Sequence, residues 1–240
     1  MMSKFLIAAL ALILLGLAIY SPNIIRLYKL ANLYNEKSIA KNFISINKIF
    51  ETSSPIPASK QPYVFEKKDY DLPESYFFEG EELKLVDGLD HFHTDGLIIL
   101  HNGKMLFEQY WHGNTKDSKH IAFSVSKSYL SALFGIAVDE GLIDSIDDKV
   151  SKYLNDFDGT GYEDVKIKNL LQMSSGIEFN EDYADPGSDI NRFARATARG
   201  SSFRDFAKTL KNGREQGTYN HYVSLDTQVL GMILESVTDM

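Results

Sequence analysis

A long apolar run at residues 123–143, FSVSKSYLSALFGIAVDEGLI, limits the folds open to this chain more than any other stretch. Its apolar residues recur every three to four positions, at Val125, Tyr129, Ala132, Leu133, Ile136 and Ala137. This spacing predicts an amphipathic helix that packs in the core, and Gly141 marks the predicted end of the helix. Such a helix must be covered by other elements of the same domain.

The same run carries a serine and a lysine at its start. Ser124 and Lys127 are three residues apart, so on a helix their side chains lie on one face and form a candidate nucleophile and base. The string alone is not specific, because residues 38–41 and 45–48 match it within a polar, amphipathic stretch where a solvated face explains it better. A polar helix start without catalysis therefore stays open for Ser124.

The elements around this helix predict a mixed fold. Two β-prone runs flank Asn102-Gly103, a pair that favours a tight hairpin because both turn positions need positive φ. Helical patterns follow at residues 165–175, 189–213 and 224–238, the last with Asp226 in its first turn. We therefore expect an α/β (α+β) domain in which an antiparallel sheet is set against a block of helices.

The amino-acid composition argues against several classes of function. The net charge of -8 argues against nucleic acid as a partner, since phosphate backbones are bound by clustered Lys and Arg. With no cysteine, the chain has no disulfide, thiolate metal site or cysteine nucleophile. His91 and His93 lie between Asp90 and Asp95 without metal-ligand spacing, so a polar loop is expected and no metal is implied. A Gly-x-Ser-x-Gly elbow is also absent from the sequence.

The N-terminus predicts contact with a membrane. Residues 5–25 contain no charge, and a helix of that length spans roughly 30 Å, the thickness of a bilayer core. A cleaved signal peptide is the alternative. We predict three parts: an anchor or signal segment (1–25), an amphipathic segment with a Pro-rich linker (26–75), and a hydrolase domain (76–240). The expected location is the bacterial inner membrane, single-pass, with the domain in the periplasm, or secretion after cleavage.

Three blocks of sequence, in order, resemble one family. FSVSKSYLSALFGIAVDEGLIDSIDDKV, VKIKNLLQMSSGIEFNEDY and GTYNHYVSLDTQVLGMILE are similar to the beta-lactamase-related serine hydrolases, the class C and penicillin-binding-protein-like group, and most of all to their 6-aminohexanoate-dimer hydrolase and esterase branch. The resemblance implies the beta-lactamase/transpeptidase-like fold. It also implies hydrolysis of carboxylic ester or amide bonds in small or peptide-like substrates through an acyl-enzyme, without a cofactor.

Site residues follow from the same resemblance. Ser124 is implied as the acylated nucleophile and Lys127 as its base, with Tyr222 relaying the proton to the leaving group. Ser224 takes the place that the family usually gives to Asn or Ser, and is expected to bind substrate. Asp182 lies in an acidic loop that borders the family's cleft, and is a second candidate for substrate binding.

The sequence lacks one motif that the family has. The family closes its site with a Lys-Thr-Gly or His-x-Gly strand after the tyrosine, and this sequence has none there; His101-Asn102-Gly103 matches the string but belongs to the predicted hairpin. We therefore expect the hydrolase domain to be incomplete, with its C-terminal strands missing. The alternative functions are a non-catalytic relative that binds peptidoglycan or peptides, and a membrane scaffold.

Overall fold

The computed structural model describes residues 25, 28–29, 31–48 and 57–238, and the chain divides into two compact units, residues 1–121 and 122–240. Within the described residues, no helix is both long and apolar enough to span a bilayer. The predicted anchor at residues 1–25 lies outside the described part except for Ile25. The anchor and the division into three parts therefore stay predictions.

The first unit is built mainly from short strands. Its elements in chain order are α1 (Ile39–Phe43), a 3-10 turn (Ile46–Lys48), β1 (Glu66–Lys67), β2 (Ser75–Phe78), β3 (Glu81–Lys84), α2 (Leu85–His91), β4 (Gly96–His101) and β5 (Lys104–Tyr110). β2 pairs with β3, and β4 pairs with β5, both antiparallel.

The predicted hairpin is confirmed. Asn102 and Gly103 connect β4 to β5 with φ of 50° and 74°, the positive values that a tight turn between twisted strands requires. β1 adds to the other side of β5 in parallel, which gives the sheet order β1-β5-β4. The sequence analysis did not predict this parallel strand, because two residues are too few to produce an alternating pattern.

The second unit is helical. Its elements are a 3-10 turn (Phe123–Val125), α3 (Ser126–Asp139), α4 (Val150–Tyr153), a 3-10 turn (Asn155–Phe157), α5 (Ile167–Leu171), α6 (Asp189–Ala198), α7 (Phe203–Lys208) and α8 (Ser224–Thr238). The hydroxyls of Ser188 and Ser202 accept the backbone N–H of Asn191 and Asp205, and so cap α6 and α7.

Helix α8 lies at the centre of this unit and packs against α3 and α5. Its predicted apolar face is confirmed, since Val229, Leu230 and Ile233 are buried. The helical block and small sheets agree with the predicted mixed fold. The core of the second unit is thus built from helices that meet on α8.

The burial of α3 differs from the prediction. The side chains that reach the core are Phe134 and Ala137, whereas most of the predicted stripe is exposed: Val125, Tyr129, Ala132, Leu133 and Ile136. Helical periodicity identifies apolar positions, but α3 is apolar on two sides, and periodicity cannot say which side meets α8. Of the predicted stripe, only Ala137 was assigned correctly.

This difference generates a test of the packing of α3. We expect Phe134→Ala to lower the free energy of unfolding by about 3–5 kcal/mol, because Phe134 is 1% exposed and its loss leaves a cavity. The neighbouring Leu133 is 54% exposed, so Leu133→Ala should change stability by about 0.5 kcal/mol or less. Urea denaturation of both variants measures the difference. Equal losses would show that the burial described for α3 is wrong.

Candidate active site

Ser124 lies in the 3-10 turn that leads into α3. The residue before it, Phe123, has φ of 43°, a left-handed conformation that is unfavourable for a bulky side chain. The Ser126 hydroxyl donates to the Phe123 carbonyl at 2.6 Å, which holds the turn closed. Ser124 is therefore presented on an exposed, constrained turn rather than within the regular helix.

Lys127 lies one turn further on and faces Ser124. Its Nζ is 3.5 Å from the Ser124 Oγ, at the long end of the hydrogen-bond range. The same Nζ lies 5.5 Å from the centre of the Tyr222 ring. Among the described residues, Lys127 forms no ion pair with a carboxylate. The structure thus brings Ser124, Lys127 and Tyr222 together, although they are far apart in sequence.

Tyr222 is held in place by its preceding segment. The backbone N–H of His221 donates to the Met173 carbonyl at 2.7 Å, and that of Gly217 donates to Ser174 at 2.8 Å. These bonds attach residues 217–221 to the turn that follows α5. Tyr222 itself is 40% exposed, so its ring borders the open site rather than the core.

Ser224 begins α8 and is bound by a residue that the sequence analysis did not select. Its hydroxyl donates to the Glu181 Oε1 at 2.5 Å, and its backbone N–H donates to Oε2 at 3.1 Å. The Tyr183 hydroxyl also donates to Oε1, at 3.0 Å. Glu181 belongs to the acidic loop seen in the sequence, but no local pattern pairs it with a serine 43 positions later.

Asp182 does not share these contacts. Its side chain is exposed, and its Oδ1 accepts the backbone N–H of Ala184 at 2.8 Å within the same loop. Among the described residues, no hydrogen bond joins Asp182 to Ser124, Lys127 or Tyr222. Its role in substrate binding stays a prediction.

The surroundings of the Tyr183 hydroxyl raise its pKa. Partial desolvation raises the pKa of Tyr183 to about 12, the hydrogen bond to Glu181 and the charge of that carboxylate act in the same direction, and a hydrogen bond with Ser224 opposes them. The hydroxyl therefore keeps its proton over the physiological range of pH. It remains a donor to Glu181 throughout that range.

Asp226 lies beneath the site in the first turn of α8 and is fully buried. Tyr162 donates its hydroxyl to Oδ1 at 3.0 Å, while Oδ2 has no hydrogen-bond partner. Burial raises the pKa of Asp226 to about 7 against the opposing effects of the Ser175 and Tyr162 hydroxyls, and the negative charge of Glu181 raises it further. This carboxyl was predicted only as a helix-dipole partner.

The site holds no group of metal ligands. Within the described residues, no three or more His, Asp or Glu side chains are arranged to bind a metal ion. The site residues described above carry hydroxyl, amine and phenol groups. A serine, a lysine and a tyrosine at these distances suit acyl transfer.

Comparison with known proteins identifies the family. The model of the Beta-lactamase family matches residues 84–240, which include every site residue described above. The chain belongs to the beta-lactamase family. The predicted relation to the beta-lactamase-related serine hydrolases is thereby confirmed.

Individual relatives within this family agree. The 6-aminohexanoate-dimer hydrolase of Paenarthrobacter ureafaciens is 33% identical over 163 residues, which cover 65% of this chain and 41% of that protein. The structure of a putative 6-aminohexanoate-dimer hydrolase from Bacillus anthracis matches with a TM-score of 0.76 at 17% identity, covering 87% of this chain and 57% of that one. The structure of a putative beta-lactamase from Bacteroides dorei matches with a TM-score of 0.51 at 24% identity, covering 65% of this chain and 44% of that one.

These matches support the fold and the family of the chain. The two solved structures confirm the predicted beta-lactamase/transpeptidase-like fold. The family match supports a hydrolase of this family. The chain spans about two fifths of the curated hydrolase and under three fifths of the Bacillus structure.

The titration of Asp226 generates a prediction about stability. The pKa of this carboxyl is 3.8 when unperturbed and about 7 in the folded protein, so the folded protein binds the proton more tightly. Its stabilising contribution is complete below about pH 4 and is lost as the pH rises to 7, by an amount on the order of 4 kcal/mol. We expect Asp226→Asn to remove this part of the pH dependence.

The measurement is urea denaturation at intervals between pH 4 and 8. The exposed Asp158 provides a matched control, and Asp158→Asn should keep the wild-type slope. A slope that is the same in Asp226→Asn and wild type would contradict the assignment of a raised pKa to Asp226.

Proposed function

We propose that this chain carries the nucleophile, base and proton relay of a serine hydrolase that cleaves carboxylic ester or amide bonds through an acyl-enzyme. One observation carries the proposal: the Lys127 Nζ lies 3.5 Å from the Ser124 Oγ and 5.5 Å from the Tyr222 ring centre. A nucleophile needs a base within hydrogen-bond reach, and such bonds are often long before substrate binds.

The proposed reaction has two steps. The Ser124 Oγ attacks the substrate carbonyl carbon while its proton moves to the Lys127 amine. The bond to the leaving group breaks as Tyr222 donates its own proton to the leaving group and takes the proton of Ser124 from Lys127. Water then attacks the acyl-serine ester and releases the acid, and one proton of the water passes to the Ser124 Oγ. The backbone N–H of Ser124 is the proposed half of an oxyanion hole, where loss of one donor costs roughly 100-fold or more in rate.

The proposed substrate is a small or peptide-like molecule with an ester or amide bond. The curated relative is named as a hydrolase of the 6-aminohexanoate dimer, which supports this class. Ser224 and Asp182 are the proposed binding residues, because Ser224 follows Tyr222 closely and Asp182 lies in an exposed loop beside Glu181. No cofactor takes part in the proposed chemistry.

Labelling with a fluorophosphonate probe tests the nucleophile. We expect the full-length protein to be labelled on Ser124, and Ser124→Ala to lose labelling completely because the attacking oxygen is gone. Lys127→Ala should slow labelling by about 100-fold or more, since general base catalysis typically contributes that much. Mass spectrometry of the labelled peptide identifies the site.

The control is Ser128→Ala, because Ser128 is an exposed serine four residues after Ser124, in α3. It should be labelled at the wild-type rate. A protein that folds but is not labelled at Ser124 would refute the hydrolase proposal and favour the non-catalytic, peptidoglycan- or peptide-binding relative.

We also propose that residues 1–25 attach the protein to the inner membrane with the hydrolase domain in the periplasm. The support is the uncharged run between Lys4 and Arg26, which is long enough to span a bilayer. We expect deletion of residues 1–25 to move the protein from the membrane to the soluble fraction of a bacterial host. Immunoblotting of the fractions measures this, and mature protein without the segment in wild-type cells would show a cleaved signal peptide instead.

A further inference from the structure

Glu181 accepts three hydrogen bonds, and two of them come from Ser224. Both of its carboxylate oxygens are used by Ser224, Oε1 by the hydroxyl and Oε2 by the backbone N–H. The Tyr183 hydroxyl supplies a third bond, to Oε1. One carboxylate therefore connects the acidic loop to the first residue of α8, two positions after Tyr222.

This arrangement determines the direction of the Ser224 hydroxyl. An ionised carboxylate accepts hydrogen bonds and donates none, so the Ser224 proton must point toward Glu181. The lone pairs of the Ser224 Oγ can then only accept. A bond to a charged group is stronger than one between neutral groups, and it polarises the hydroxyl into a better acceptor.

A hydrogen-bond acceptor with a fixed direction can distinguish the leaving group of an amide from that of an ester. An amide carries an N–H on its leaving side and satisfies an acceptor, whereas the corresponding ester oxygen has no proton to donate. A site that presents a fixed polar group discriminates against a substrate that leaves the group unpaired. Ser224 follows Tyr222 by two positions in the chain, and Tyr222 is the residue proposed to protonate the leaving group.

We propose that Glu181 is a positioning residue that fixes Ser224 as a hydrogen-bond acceptor for the leaving-group N–H, and so makes the site selective for amides over esters of the same acyl group. The inference rests on the proposed function of Ser124, Lys127 and Tyr222. Glu181 acts through Ser224 and does not touch the reacting atoms.

The same contacts explain why the carboxylate stays in place. Ser224 and Tyr183 together donate three hydrogen bonds, and Tyr183 keeps its proton because its pKa is raised to about 12. The N-terminus of α8 also favours a negative charge. Glu181 is thus fixed from two sides before any substrate arrives.

Glu181→Gln is the test variant, because it keeps the shape of the side chain and replaces one acceptor by an N–H₂ donor. That donor faces either the N–H or the hydroxyl of Ser224, so the two bonds to Ser224 can no longer both form as described. We expect kcat/KM for an amide to fall by about 10- to 100-fold, the value of a charge-assisted hydrogen bond. The ester should change by less than about threefold, since it does not use this acceptor.

The substrates are the p-nitroanilide and the p-nitrophenyl ester of 6-aminohexanoate, assayed with the full-length protein. Glu235→Gln is the matched control, because Glu235 is exposed on α8 and its substitution changes the charge equally. It should leave the amide-to-ester ratio of kcat/KM unchanged. Ser224→Ala should lower the ratio as Glu181→Gln does, and combining the two should have no further effect.

Two results would overturn the inference. Unchanged kcat/KM for both substrates in Glu181→Gln would remove the link between Glu181 and selectivity, and equal losses on both substrates would make the role structural. Fluorophosphonate labelling separates this failure from that of the proposed function. Normal labelling of Ser124 with an unchanged ratio refutes only the role of Glu181, whereas a folded wild type without labelling refutes both.

Discussion

The packing of α3 against α8 is the interaction on which the candidate site depends. Phe134 and Ala137 of α3 are buried in the same core as Val229 and Ile233 of α8. Ser124 and Lys127 lie at the beginning of one helix, and Tyr222 immediately precedes the other. Because both helix starts are placed by one shared core, the distance between the lysine and the tyrosine is set by apolar packing well away from the site.

Two carboxyl groups lie near the start of α8, and their surroundings differ. Glu181 is held by three donors, whereas Asp226 is fully buried with one oxygen unpaired. Burial raises the pKa of Asp226, and the negative charge of Glu181 raises it further, which favours the protonated form of the buried carboxyl. The site is thus placed over a core that becomes less stable as the pH rises.

Local patterns predicted most of the elements in the second unit and the hairpin of the first. Asn102-Gly103 required positive φ, as expected from turn chemistry, whereas the helix predicted within residues 165–175 ends at Leu171, before the Ser-Ser-Gly sequence at residues 174–176. The helical pattern did not predict which of the two apolar sides of α3 is buried. It also missed Glu181, because a bond that spans 43 residues leaves no periodic signal.

The sequence by itself determined the chemistry that is present: a serine and a lysine at helical spacing, a tyrosine before an apolar helix, and a family resemblance carried by three ordered blocks. These properties are local, so they can be recognised from neighbouring positions in the sequence. Only the tertiary structure decided which face of α3 is buried, how near Lys127 comes to Tyr222, and which carboxylate holds Ser224. These depend on packing and hydrogen bonds between distant segments, whose energies are decided by three-dimensional proximity and not by spacing in sequence.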